Sequence, residues 1–224
     1  MTLLAPREAY RLWAPTYEAG NPITALEGEL ATDIGPSPAG ARLLDAGCGT
    51  GWRLADAGAG KAVGVDLSPA MLEIARANPG CADAELIEGD LRALPLADRS
   101  FDLVWCRLAI GYLAELPLAM AELARVADAG ACVLVTDFHP AAIAAGHRRT
   151  FHAEGATREV RTYAHTEEQL VEAARRAGLS LRARDEAVIG PQVRPFYRRA
   201  GKVALYDAHR GLPVVLGLCF TRDG

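Results

Sequence analysis

The chain has 224 residues, of which 50% are hydrophobic and 23% are charged, and its formal net charge is −4. A chain of this size and composition is expected to form one globular domain, and its mild acidity argues against a protein that follows nucleic-acid phosphates. Its apolar runs are shorter than the ~18 residues that suggest a transmembrane helix, so no membrane span is expected.

The cysteines and the first residues of the sequence indicate the cellular compartment in which the protein is expected to reside. The five cysteines are an odd number and include no Cys-x-x-Cys pair, so neither disulfides nor a metal site is expected. Residues 1–8 lack the apolar core of a signal peptide. The sequence therefore predicts a cytoplasmic protein.

Two helices are predicted before the first strand, over Pro6–Glu18 and Ile23–Ile34. Tyr10, Trp13 and Tyr17 in the first helix are separated by three and four residues, so they share one helical face. This face either packs against the domain or forms a lid over a binding site, and the spacing is compatible with both.

The most informative segment is Leu-Leu-Asp-Ala-Gly-Cys-Gly-Thr-Gly at 43–51. A short apolar strand ends in Asp45, and three glycines follow at alternate positions. This pattern predicts a tight turn into a helix and a close approach of the backbone to a ligand. Asp45 would repel a pyrophosphate at this turn, and the basic residue nearest to the turn is Arg53. The turn is therefore expected to bind a ligand with an ammonium or sulfonium group.

The next two predicted strands also end near acids. A strand over 62–66 ends in Asp66, and a strand over 85–88 is followed closely by Asp90. The carboxyl ends of parallel strands meet at one edge of a sheet, where ligands of open α/β proteins bind. Asp45 is thus predicted to share one site with these two acids, in which Asp66 binds ribose hydroxyls.

The rest of the chain continues the α/β pattern with one interruption. A fifth strand over 131–136 ends at Asp137-Phe138-His139, on the substrate side of the same edge. Residues 151–165 interrupt the alternation and predict a small inserted hairpin. The other predicted elements are a fourth strand at 101–106, helices at 116–127 and 166–177, strands at 179–189 and 214–221, and a partly helical segment at 195–207.

Four segments resemble the successive motifs of class I S-adenosylmethionine-dependent methyltransferases, in particular the small-molecule branch that includes quinone-biosynthesis enzymes. The segments are Leu-Leu-Asp-Ala-Gly-Cys-Gly-Thr-Gly (43–51), Val-Gly-Val-Asp-Leu-Ser-Pro-Ala-Met-Leu (63–72), Gly-Asp-Leu-Arg-Ala-Leu-Pro-Leu (89–96) and Ser-Phe-Asp-Leu-Val-Trp (100–105). The resemblance implies an α/β fold with a doubly wound, mostly parallel seven-stranded sheet, the Rossmann-like methyltransferase fold. Its last strand would run antiparallel at the sheet edge, beside the fifth strand.

The same resemblance implies that the N-terminal helical segment is a lid over the site, and the hairpin predicted from residues 151–165 would be inserted above it. We interpret residues 1–224 as a single methyltransferase domain. Its parts are the lid (1–38), a cofactor-binding half (41–137), an inserted substrate-side segment (138–165) and a C-terminal half (166–224).

The resemblance also implies cofactor contacts residue by residue. Asp45 would lie near the amino group of S-adenosylmethionine, Asp66 would accept hydrogen bonds from its ribose hydroxyls, and Asp90 would bind its adenine amino group. The other residues implied are Gly47 and Gly49 under the methionine moiety, Leu67 and Met71 around the adenine, Leu91 beside Asp90, Arg107 near the methionine carboxylate or the methyl group, and Trp13 and Tyr17 in the lid.

The implied reaction is an in-line displacement at the methyl carbon by a small, largely apolar substrate, with release of S-adenosylhomocysteine. A base is needed only if the nucleophile must lose a proton, and the candidates are His139, His165, Asp137 and Tyr112. The segment 106–109 departs from the Asn- or Asp-Pro-Pro-aromatic motif of amino-directed nucleic-acid methyltransferases. We therefore expect a small-molecule substrate, no nucleic-acid partner, and a monomer or homodimer.

Two other functions remain open at this point. One is a protein of the same fold that binds the cofactor without methyl transfer, such as a pericyclase or a regulator. The other is a nicotinamide-dependent oxidoreductase on a similar sheet. Binding of S-adenosylhomocysteine but not NAD would separate the methyltransferase from the oxidoreductase.

Overall fold

The computed structural model describes residues 2–17 and 20–224. The strands, in chain order, are β1 (Thr2–Leu4), β2 (Arg42–Ala46), β3 (Lys61–Asp66), β4 (Glu85–Glu88), β5 (Phe101–Arg107), β6 (Ala127–Phe138), β7 (Thr150–Ala153), β8 (Ala156–Val160), β9 (Leu179–Val188) and β10 (Pro213–Arg222). The helices are α1 (Pro6–Trp13), α2 (Pro22–Ile34), α3 (Trp52–Ala55), α4 (Pro69–Ala77), α5 (Leu116–Val126), α6 (Pro140–Ala144), α7 (Glu167–Arg176), α8 (Arg194–Arg199) and α9 (Val203–His209). Within these described ranges, every helix is too short or too polar to cross a membrane.

Seven strands form the central sheet in the order β4-β3-β2-β5-β6-β10-β9. All run in one direction except β10, which lies antiparallel between β6 and β9. This arrangement confirms the predicted α/β fold with a mostly parallel seven-stranded sheet. The last strand is antiparallel and lies beside β6, as expected. Its expected place at the sheet edge was wrong, because β9 pairs with its other side.

Both faces of the central strands are buried, which explains their continuous apolar sequence. Leu44 and Val104 pack in one core together with Leu123 of α5. Their neighbours in the chain, Leu43 and Leu103, pack in a second core on the opposite face. Since successive strand residues point to opposite faces, a strand that is covered on both sides has no polar alternation.

Helix α1 is shorter than the sequence predicted. It ends at Trp13 and continues as a 3₁₀ turn over Ala14–Thr16, since Pro15 has no N–H for an α-helical hydrogen bond. The predicted last residue, Glu18, lies outside the described residues. Helix α2 follows and begins after Asn21, whose side chain accepts hydrogen bonds from its first turn.

A second sheet of three strands, in the order β1-β8-β7, packs against α1. Strands β7 and β8 form the predicted inserted hairpin, and β1 pairs in parallel with β8. Strand β1 was not predicted, because three residues carry no periodicity and their partner is distant in the chain. Phe151 stacks on Trp13 with ring centroids 4.9 Å apart, so α1 packs directly on the hairpin.

Replacement of Leu123 with alanine is expected to lower the free energy of unfolding by about 2–5 kcal/mol, because the fully buried side chain would leave a cavity. Leu118 on the same helix is 54% exposed, and Leu118→Ala is expected to change the stability by about 0.5 kcal/mol or less. Urea unfolding followed by circular dichroism measures both variants. Equal losses would contradict the assignment of the buried face of α5.

Candidate functional site

A cavity of about 820 Å³ opens at the carboxyl ends of β2, β3 and β5. Its size falls within the usual range for small-molecule and cofactor sites. The residues predicted from the sequence that line it are Gly47, Gly49, Asp66, Leu67, Met71, Asp90, Leu91, Arg107, Tyr112, Trp13 and Tyr17. The structure therefore brings most of the predicted site residues together around one cavity. Trp13 and Tyr17 of the N-terminal segment line the same cavity.

The turn after β2 is held in place by hydrogen bonds to the end of β3. Gly47 has a φ of 92°, and a Cβ added there would lie 2.5 Å from the Cβ of Ala109. The Gly47 amide donates to the carbonyl of Val65 at 2.7 Å. The Gly49 amide donates to Oδ2 of Asp66 at 2.8 Å. Glycine is therefore required both by the backbone conformation and by the close approach of Ala109.

Asp66 is an oriented hydrogen-bond acceptor on the cavity wall. Its Oδ2 accepts from the Gly49 amide and its Oδ1 from the Ser68 amide, each at 2.8 Å. Each oxygen retains a second lone pair that a ligand hydroxyl can use. Burial raises the pKa of Asp66 above its ordinary value, and the two amide N–H groups act in the opposite direction.

Asp90 lies on the same cavity wall and is paired with Arg92. Nε of Arg92 donates to Oδ1 at 3.0 Å and Nη2 donates to Oδ2 at 2.7 Å. The backbone amide of Arg92 also donates to Oδ1, at 2.9 Å. These side-chain hydrogen bonds hold the pKa of Asp90 below its ordinary value. Asp90 is therefore a carboxylate, and it is an acceptor on the cavity wall for a ligand amine.

Asp45 is buried behind the cavity wall rather than exposed on it. Its side chain is fully buried, and neither carboxylate oxygen has a hydrogen-bond partner within residues 2–17 and 20–224. Burial raises the pKa of Asp45 to about 6, although Arg53 and Arg107 act in the opposite direction. A buried carboxylate without a hydrogen bond is costly, and a cation beside it would relieve that cost.

Two arginines on the cavity wall converge on a carboxylate that the sequence analysis missed. Nε and Nη2 of Arg107 donate to Glu27 at 2.7 and 3.0 Å, and Nη2 of Arg53 donates to the same carboxylate at 3.1 Å. Glu27 lies in α2 and is fully buried. A signal was present, since Glu27 precedes the buried Leu30 by three residues and so shares the apolar face of α2. The pattern alone does not identify its partners.

A second group at the cavity, the arginine–tyrosine cluster, consists of Tyr10, Tyr112 and Arg149, which line the cavity, and Asp137, which pairs with Arg149 behind them. The guanidinium of Arg149 lies 4.5 Å from the ring centroid of Tyr112 and 4.6 Å from that of Phe138, and it pairs with Asp137. The hydroxyl of Tyr112 is hydrogen-bonded to Tyr10 and Arg149. Burial raises the pKa of both tyrosines above the ordinary value.

Comparison with known proteins agrees with the fold and the motifs. A model for a methyltransferase domain matches residues 44–150. Curated relatives named malonyl-(acyl-carrier protein) O-methyltransferase are 50% identical over 95 residues, from Erwinia pyrifoliae, and 34% identical over 179 residues, from Dechloromonas aromatica. The segment 44–150 therefore belongs to the methyltransferase-domain family.

The similarity of this chain to each relative covers only part of both proteins. The two matches span 42% and 70% of this chain, but 36% and 64% of the Erwinia and Dechloromonas proteins. An S-adenosylmethionine-dependent methyltransferase from Mesorhizobium loti has a TM-score of 0.69 at 21% identity, over 91% of this chain and 99% of that one. The cyclase SpnF has a TM-score of 0.67 at 20% identity, over 100% and 99%. At such identities the solved structures show the fold alone.

The two histidines expected to serve as bases have other contacts in this protein. Neither His139 nor His165 is among the described residues that line the cavity. Nδ1 of His139 accepts the N–H of Ala141 at 3.1 Å and so caps α6. Nε2 of His165 lies 2.7 Å from the carbonyl oxygen of Leu113. A base at either position therefore stays a prediction, since the strand end predicts the right edge of the sheet, whereas local hydrogen bonds set the side-chain direction.

Proposed function

We propose that this protein transfers a methyl group from S-adenosylmethionine to a small molecule. The observation that carries the proposal is the Asp66 carboxylate, which the amides of Gly49 and Ser68 hold in the cavity as an acceptor for a ribose diol. Leu67 and Met71 line the same cavity and offer apolar contact to a flat base. These groups fit a nucleoside whose sugar hydroxyls are donors.

The charges around the glycine turn support a ligand with an amino-acid end. Arg53 and Arg107 line the cavity and can bind a carboxylate, whereas Asp45 is a buried anion without a hydrogen-bond partner in the described ranges. A zwitterion supplies one charge of each sign to such an arrangement. When bound, the cofactor supplies an electrophilic methyl group. The chain then has to orient the substrate and exclude water from the cavity.

The arginine–tyrosine cluster supports a nucleophile that is already anionic. Tyr10 and Tyr112 are protonated at neutral pH because burial raises the pKa of each, and Asp137 is paired with Arg149. We therefore propose that a carboxylate is methylated on oxygen, which requires no base, and that Arg149 orients the acidic substrate. The name of the relatives, which specifies O-methylation of malonyl-(acyl-carrier protein), supports this substrate class. The aromatic rings beside Arg149 would contact the apolar part of such a substrate.

Asp66→Asn is expected to weaken binding of S-adenosylhomocysteine about ten- to a hundredfold, because a charged acceptor for two hydroxyls is lost. Glu73→Gln removes an exposed carboxylate on α4 and should leave the affinity unchanged. Isothermal titration calorimetry measures both. If folded wild-type protein binds no S-adenosylhomocysteine, the proposal is wrong, and binding of NAD in its place would favour the oxidoreductase.

Cofactor affinity is expected to fall as the pH is lowered through about 6, the pKa of Asp45. A cationic ligand favours the ionised carboxylate, so binding to the protonated form must release a proton, and the affinity becomes constant above about pH 7. Arg53, Arg107, Glu27 and Asp66 are the charged groups around Asp45. Titration calorimetry at several pH values checks the profile. It should flatten in Asp45→Asn, and an unchanged profile there would assign the effect to Asp66, whose pKa burial also raises.

An acyl thioester with a free terminal carboxylate is expected to accept the methyl group, whereas the matching acetyl thioester is not. Arg149→Gln should raise KM for the acidic thioester by about tenfold or more, since a charged hydrogen bond is lost, and should leave S-adenosylhomocysteine affinity unchanged. Arg158→Gln in β8, whose partner Glu154 is exposed, is the control. Transfer of a radiolabelled methyl group measures the rates. Equal rates with both thioesters would exclude the carboxylate, and cofactor binding without transfer to any acceptor would favour the alternative without methyl transfer.

A further inference from the structure

Glu27 connects the cavity wall to a helix outside the family motifs. Its carboxylate accepts hydrogen bonds from Arg53 in α3, from Arg107 at the end of β5 and from Oγ1 of Thr136 in β6, the last at 2.8 Å. Helix α2, which carries Glu27, precedes the segment 44–150 that the methyltransferase-domain model matches. One side chain therefore joins four elements of the fold around the site.

The geometry of these contacts fixes the arginines and leaves donors for a ligand. Glu27 engages Arg107 through Nε and Nη2, so Nη1 takes part in neither of these hydrogen bonds. Arg53 uses Nη2 toward Glu27, and its buried Nε has no hydrogen-bond partner within the described ranges. Both arginines line the cavity, whereas Glu27 is fully buried and is not among the described lining residues. The hydrogen bonds of Glu27 therefore reach the cavity wall through the two arginines.

Glu27 remains ionised despite its burial. Burial alone would raise its pKa, but Arg53, Arg107 and their hydrogen bonds outweigh this effect, and the pKa lies below its ordinary value. Two arginines and one glutamate leave one positive charge within this trio, and Asp45 is the other buried acid beside both arginines. An arginine side chain loses conformational entropy when it binds a ligand. Because Glu27 already holds both side chains in place, this entropic cost is not added when the ligand binds.

We propose that Glu27 is a positioning residue, which holds Arg53 and Arg107 as a preformed subsite for the carboxylate of the cofactor's amino-acid moiety. The inference rests on the proposed function, because the cofactor named there carries that carboxylate. It extends the binding site to α2, a helix that contributes to it without reaching the ligand.

The test compares two ligands by isothermal titration calorimetry: S-adenosylhomocysteine, and 5′-methylthioadenosine, which lacks the amino-acid moiety. Glu27→Gln is expected to weaken S-adenosylhomocysteine binding about tenfold or more and to leave 5′-methylthioadenosine binding unchanged. Glu29→Gln, an exposed acid on the same helix, is the matched control and should change neither affinity. Glu27→Asp keeps the charge but shortens the side chain, so it should give a smaller loss for S-adenosylhomocysteine alone.

The outcomes separate this inference from the proposed function. If the wild-type protein binds neither ligand, the proposed function fails. If the wild-type protein binds both ligands with equal affinity, or if Glu27→Gln weakens both equally, the subsite is overturned and Glu27 is only structural. Circular dichroism and thermal unfolding establish whether each variant is folded. If Glu27→Gln is unfolded, the comparison of the two ligands with Glu27→Asp decides, and equal losses there overturn the inference.

Discussion

The hydrogen bond from the Gly49 amide to the Asp66 carboxylate connects the turn after β2 to the end of β3. The turn needs glycine at position 47, where the backbone adopts a positive φ and lies directly against Ala109. The same contact that closes the turn also fixes the direction of the acceptor on the cavity wall. The ends of two parallel strands therefore set the position of the Asp66 carboxylate, which a ligand would contact. Because both strands belong to the central sheet, this acceptor is held rigidly.

Local signals made the turn and most of the sheet predictable from the sequence. The glycines at 47, 49 and 51 and the acid at 66 each follow an apolar run, and their meaning does not depend on distant residues. The Glu27–Arg107 pair could not be found in this way, because its two members are 80 residues apart and only the folded sheet brings them together. The role of Arg149 could not be found in this way either, because packing against Tyr112 and Phe138 buries it only in the folded chain.

Position at a strand end predicts the edge of the sheet but not the direction of a side chain. Asp66 faces the cavity, whereas Asp45 is buried behind it and His139 caps a helix. The difference arises from neighbours that come from other elements, namely the Arg53 and Arg107 charges around Asp45 and the α6 amide above His139. A pattern of acids therefore locates a site more reliably than it assigns each acid a contact.

The position of β10 has a consequence for synthesis of the protein. This strand follows every other strand of the central sheet in the chain, yet it lies inside the sheet, between β6 and β9. Until the ribosome has released residues 213–222, β6 and β9 both present unpaired edges, which other chains can join. Nascent or truncated chains that lack β10 are thus exposed to aggregation for as long as that gap stays open.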